Sequence, residues 1–195
     1  MESLEKQNFI VAKWVTSTFL GWLLGFILIL VLSVILDTIS IENIQFFTGT
    51  GMGLGVGYMQ WRIIRRISID DKRWIWYSVI GLTIPFLIFD LINLLFGYSL
   101  GAYMIPVCTG LGGLTTGLLQ FRILRASSLR AKLWIFASFV GWVSAALTVL
   151  SMDYIRILEI NNWIGFAINI TLILGGGVVL GFITGLFLRN ILERK

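Results

Sequence analysis

The segment "GMGLGVGYMQWRIIRR", residues 51–66, places glycine at four alternate positions and then closes on Trp61 and the arginines 62, 65 and 66. In water such glycines mark a loop, whereas an aromatic residue followed by cations marks a helix leaving a membrane. Composition decides between them. The 195 residues are 57% apolar and 13% charged, without a single His, and Phe19–Leu36 runs free of charge. An ordinary soluble domain of this length does not have that composition. In lipid the backbone has to satisfy its own hydrogen bonds, so a glycine-rich span stays helical, and its bare surface lets another backbone approach closely. A phosphate-binding loop would need a lysine followed by Ser or Thr, and a dinucleotide fingerprint would need a strand–turn–helix setting. Neither occurs in the segment, which therefore reads as a packing helix.

Working outward, predominantly apolar segments of about 20 residues, the length needed to cross some 30 Å of hydrocarbon, lie near 14–36, 44–64, 74–96, 101–123, 133–153 and 163–188. They predict an all-α integral membrane protein, a single membrane domain over 1–195 with six transmembrane helices. A transmembrane barrel needs shorter strands of alternating polarity, a pattern the chain lacks. The first apolar stretch is longer than a signal-peptide core and follows Glu2 and Glu5 as well as lysines, so it is expected to be a retained helix.

The cations set the orientation. Lys6 and Lys13 precede the first span, Arg62, Arg65, Arg66, Lys72 and Arg73 follow the second, Arg122, Arg125, Arg130 and Lys132 follow the fourth, and Arg189, Arg194 and Lys195 follow the sixth. The opposite side holds Asp37, Glu42, Asp153 and Glu159, with Arg156 as its one cation. The positive-inside rule then puts both termini in the cytoplasm, with a bacterial inner membrane as the expected setting. The net charge of +5 is read as topology plus contact with anionic lipid headgroups. Nucleic acid is excluded as a partner, because the cations are divided among short loops with little room for a binding domain.

An internal repeat links the spans. "WVTSTFLG" at 14–21, "WIWYSVIG" at 74–81 and "WIFASFVG" at 134–141 are spaced by 60 residues, and "GLGVGYMQWRIIR" at 53–65 matches "GLTTGLLQFRILR" at 113–125. "GVVLGFITGLFLR" at 177–189 is the third copy, with four residues inserted before it. The chain thus reads as three helical hairpins, at about 13–66, 73–126 and 133–190. Gly49, Gly53 and Gly57 form a stripe at i, i+4, i+8; Gly113 and Gly117 form a second; Gly177, Gly181 and Gly185 form a third. These stripes predict that helices 2, 4 and 6 pack centrally on one another around a pseudo-threefold axis, with helices 1, 3 and 5 outside.

Gln60, Gln120 and Thr184 each lie seven positions after a stripe glycine and are expected to face inward near the cytoplasmic end. They make either a hydrogen-bonded plug that fixes helix register or a polar constriction on the axis. Asp90 stands inside the third span, where an ionisable residue is a functional hypothesis by default. Asn93 shares its repeat position with Ser33 and Asp153, which suggests an outer polar ring, although water at the interface also accounts for these residues. Trp14, Trp74 and Trp134, beside cytoplasmic cations, read as interfacial anchors, and Arg62 and Arg122 as side chains snorkelling to headgroups. Cys108, the sole cysteine, cannot form an internal disulfide and reads as a small packing residue.

No enzyme is expected, and no cofactor or metal. Without His there is no His ligand or His base, and no span holds a close pair of carboxylates. Length and span number resemble the substrate-binding components of energy-coupling-factor vitamin transporters, which implies ligand uptake. The alanine motif of their first helix is absent from "STFLGWLLGFILIL" at 17–30. Two classes remain. One is small-solute or lipid-like ligand binding or transport through the helix bundle, with Asp90, Asn93 and Asp153 favouring a cationic or polar neutral ligand. The other is a non-catalytic anchor or assembly subunit, docked to a membrane-protein partner or to copies of itself.

Overall fold

The computed structural model describes residues 2–40, 44–67, 69, 71–126, 128–157 and 162–192, and the side chains of these except for 2–8, 152–157 and 192. Among the described residues there are six α-helices and no strand. They are α1 (Glu2–Thr38), α2 (Phe46–Ile64), α3 (Arg73–Phe96), α4 (Met104–Leu124), α5 (Leu133–Ile157) and α6 (Asn162–Leu192), with short 3₁₀ turns at Arg65–Ile67 and Gly101–Tyr103. Helix α3 stops at Gly97, whose φ of 66° only glycine adopts cheaply and whose N–H bonds the Asn93 carbonyl at 2.8 Å. Its start is marked by Asp71, which accepts hydrogen bonds from the backbone N–H and guanidinium of Arg73. The Arg73 side chain holds the Asp71 carboxyl below its usual range.

Five segments are long and apolar enough to cross a membrane: Phe9–Thr38, Arg73–Phe96, Gly101–Leu124, Leu133–Ser151 and Asn162–Ile191. They mark the chain as a membrane protein, and large apolar side chains such as Ile27, Leu30, Leu94 and Phe166 cover its outside. Helix α2 is not among the five. Its 19 residues extend about 28 Å, close to the hydrocarbon thickness, but glycine adds little hydropathy. What α2 has instead is burial, since Gly49, Gly51, Met52, Gly53, Gly55, Val56 and Gly57 are all covered by neighbours.

The helices close into a ring. Each packs on its neighbours along the chain, and α6 returns to α1. The expected central packing of α2, α4 and α6 on one another does not occur, and the glycines show why. A methyl group on Gly53 would lie 2.6 Å from the Val79 Cα of α3, one on Gly117 3.0 Å from the Ile135 Cα of α5, and one on Gly181 2.9 Å from the Val15 Cα of α1. Gly49 and Gly57 likewise meet α3, Gly113 meets Ser138 and Trp142 of α5, and Gly177 and Gly185 meet Trp22 and Trp14 of α1. Each stripe thus seats an odd-numbered helix. On its other face α2 presents Gly51 and Gly55 to Gly21 and Gly25 of α1, so two bare faces wedge it between α1 and α3.

Candidate functional site

The axis of the ring is filled from the odd-numbered helices. Trp14, Trp74 and Trp134 are fully buried and meet in a triad, with ring centroids 6.4, 5.9 and 5.4 Å apart. They are not interfacial anchors: their indoles point into the ring and leave no ring face for lipid headgroups. Such edge and tilted contacts between aromatic rings contribute roughly 0.5–1.5 kcal/mol each beyond burial.

A polar belt accompanies the triad. The indole N–H of Trp14 donates to Thr184 Oγ1 at 2.9 Å, and that of Trp134 donates to Gln120 Oε1 at 2.8 Å. Gln120 Nε2 donates to Ser78 Oγ at 2.9 Å, Gln60 Nε2 to Thr18 Oγ1 at 3.3 Å, and Ser138 Oγ to the Gly113 carbonyl at 2.7 Å. Gln60, Gln120 and Thr184 are all buried. The belt therefore links α6 to α1, α1 to α2, α3 to α4 and α4 to α5. One position is open: Trp74 Nε1 finds no partner among the described residues. The three buried indoles and their polar partners pack together at this level.

Two helical turns on, about 12 Å further along the axis, the ring opens into a chamber of about 190 Å³. Trp22 and Trp142 form its floor, with ring centroids 6.0 Å apart, and Trp22 is fixed by an indole N–H bond to the Ile173 carbonyl. Phe26, Phe86, Ala146 and Met52 make up much of its wall, and Thr48 and Thr109 supply its polar side chains. Five helices, α1 to α5, contribute to this lining. Its volume is of the order that would accommodate a molecule about the size of benzene. Nothing in the sequence marked the chamber, because its walls are ordinary apolar residues; the sixty-residue spacing of Trp22, Leu82 and Trp142 was the one available signal.

The outer polar residues lie apart from this lining. Asp90 is buried, and its Oδ2 accepts hydrogen bonds from the backbone N–H groups of Gln45 and Phe46, at 2.9 and 2.7 Å. It thereby caps the start of α2, binding the N–H of Gln45 just before the helix and that of Phe46, its first residue, neither of which has a partner within the helix. Asn93 and Ser33 are half-buried on α3 and α1. The Asp153 side chain lies outside the described residues. Arg62 is half-buried on α2, and Arg122 is exposed on α4. Comparison with protein families, curated proteins and solved structures gives no match for the chain.

Proposed function

We propose that the protein binds one small apolar or lipid-like molecule in the axial chamber, without catalysis, and that its ring is three copies of one helical hairpin about a pseudo-threefold axis. The observation that carries the ligand reading is the chamber itself, enclosed by five helices and lined by aromatic and aliphatic side chains. No charged side chain lines it, so the cationic solute favoured by the outer carboxylates has no counter-charge there, and Thr48 and Thr109 are the polar side chains left for a polar one. Asp90 already serves α2. The repeat reading is supported by the layers on the axis, each spaced by sixty residues: Trp14, Trp74 and Trp134, then Thr18, Ser78 and Ser138, then Phe26, Phe86 and Ala146.

The positive-inside rule puts the Trp triad and both termini on the cytoplasmic side, and the chamber towards the outer leaflet. Three packed indoles close the cytoplasmic end, so the ligand exchanges with the outer leaflet rather than passing straight through. The test is purification from native membranes in mild detergent, with mass spectrometry of the small molecules and lipids released on denaturation. One apolar species in stoichiometric amount is expected from the wild type. Ala146→Phe, which fills the chamber from a wall position, should lose it while keeping the helical circular dichroism. A wild type that carries no such molecule but brings a stoichiometric membrane-protein partner would replace this reading with the assembly-subunit one.

A further inference from the structure

At the Trp14 end, the outer surface between α1 and α2 carries a groove of about 350 Å³. Its apolar wall includes Leu20, Met59 and Ile63, and its rim carries Lys13, Arg62 and Arg66. We propose that this groove seats one anionic phospholipid, with the phosphate held by those three cations and an acyl chain laid along the apolar wall.

Charge is the first support. Lys13 Nζ sits 3.9 Å over the Phe9 ring, and an Arg62 guanidinium nitrogen lies 3.8 Å from Met59 Sδ. Neither contact neutralises a cation, and Arg66 is exposed. Among the residues whose side chains are described no carboxylate pairs with any of the three; the ion pair described there joins Arg73 to Asp71 at 2.6 Å. Arginine presents planar, paired donors to phosphate oxygens, and basic pockets between membrane helices are where anionic headgroups lodge. The groove's place is the second support. Phe9 and Leu20 are exposed on the outside of the ring, so the wall below the cations faces the bilayer, where the phosphate arrives with an acyl chain attached. This favours a lipid over free phosphate.

The position sixty residues on is a built-in contrast. There Arg73 stands in place of Lys13 but is tied to Asp71, and Ala126 stands in place of Arg66. The α1–α2 groove gathers three cations without a carboxylate partner among the residues whose side chains are described. The inference rests on the membrane reading and not on the chamber's being occupied.

The experiment reconstitutes the full chain into vesicles of equal phosphatidylglycerol and phosphatidylcholine, extracts it gently, and counts retained lipids by native mass spectrometry. Each cation near an anionic surface is worth about fivefold, so the wild type should prefer phosphatidylglycerol by at least about tenfold. Lys13→Gln/Arg62→Gln/Arg66→Gln should bring the two lipids to parity. The double variant Lys13→Gln/Arg66→Gln, which touches only exposed side chains, should lose at least about fivefold even if the triple variant does not fold. Arg122→Gln/Arg125→Gln should keep the preference. Ala12→Trp, which fills the groove and keeps the cations, should lose the lipid. An Ala146→Phe protein that still retains phosphatidylglycerol would separate this seat from the chamber. The proposal is overturned if the wild type shows no preference, if the double variant or Ala12→Trp keeps it, or if the Arg122/Arg125 pair loses it equally. Displacement of the lipid by millimolar inorganic phosphate would assign the cations to free phosphate instead.

Discussion

At the scale of the residue, tryptophan does the least expected thing. Trp14, Trp74 and Trp134 stand at the depth where a membrane helix meets its flanking cations, and hydropathy records depth but not azimuth. An indole at that depth serves the headgroup region if it faces out and the axis if it faces in. The sixty-residue spacing groups the three without saying which way they turn. Their hydrogen bonds make the difference measurable. Trp14 and Trp134 each donate to a buried acceptor, Thr184 or Gln120, whereas the Trp74 N–H has no partner among the described residues. Replacing each by Phe removes similar ring area from the triad. Trp14→Phe and Trp134→Phe also break a bond worth roughly 0.5–1.5 kcal/mol, while Trp74→Phe removes an uncompensated donor. Thermal unfolding in one detergent should therefore give Trp74→Phe the highest melting temperature of the three. If it melts lowest, the Trp74 N–H has an acceptor, with Gln60 the first candidate.

At the scale of the element, glycine spacing identified the close-packed faces but not their partners. A stripe at i, i+4, i+8 says that another backbone comes near; which backbone follows from ring closure, a property no single helix carries. Asp90 shows the same gap. A carboxylate inside an apolar span reads as a site until the chain folds and brings the N-terminus of α2 against it, a relation across 45 residues. The hydropathy of α2 is low for a related reason, because its glycines are chosen for contact rather than for transfer into lipid. Substitution separates the glycines that serve contacts from those that do not. Gly53→Ala would place its methyl 2.6 Å from the Val79 Cα, backbone that cannot rotate away, whereas a methyl on Gly175 meets nothing within 4 Å. Gly53→Ala should lower the melting temperature by forcing α2 and α3 apart, since overpacking costs about 1–3 kcal/mol. Gly175→Ala should be neutral or stabilising by up to about 1 kcal/mol, the helix-propensity difference. Equal melting of the two would mean that the α2–α3 contact is looser than the backbone distances show.

At the scale of the whole molecule, the asymmetry of its two ends gives the ring a direction. The Trp14 end carries the triad, the polar belt and the basic loops, and the Asp90 end carries the chamber. Helix number and the clustering of cations were legible in the sequence because both are properties of single segments. The closed ring and the chamber were not, because they exist only once α6 meets α1. The proposed orientation puts the loop between α4 and α5 in the cytoplasm and the loop between α3 and α4 outside. Leu129, fully exposed in the first, and Tyr98, 56% exposed in the second, are suitable reporters. In a Cys108→Ala background, Leu129→Cys should resist a membrane-impermeant thiol reagent in intact cells and react once the cells are opened, while Tyr98→Cys should react in both. The reverse pattern would invert the ring. The chamber would then face the cytoplasmic leaflet and the Lys13–Arg62–Arg66 groove the outer one, which is poorer in the anionic attraction those cations exploit. The topology measurement therefore bears on the lipid seat as well as on the orientation, since a groove built for an anionic headgroup belongs on the side where its three cations meet negative surface charge.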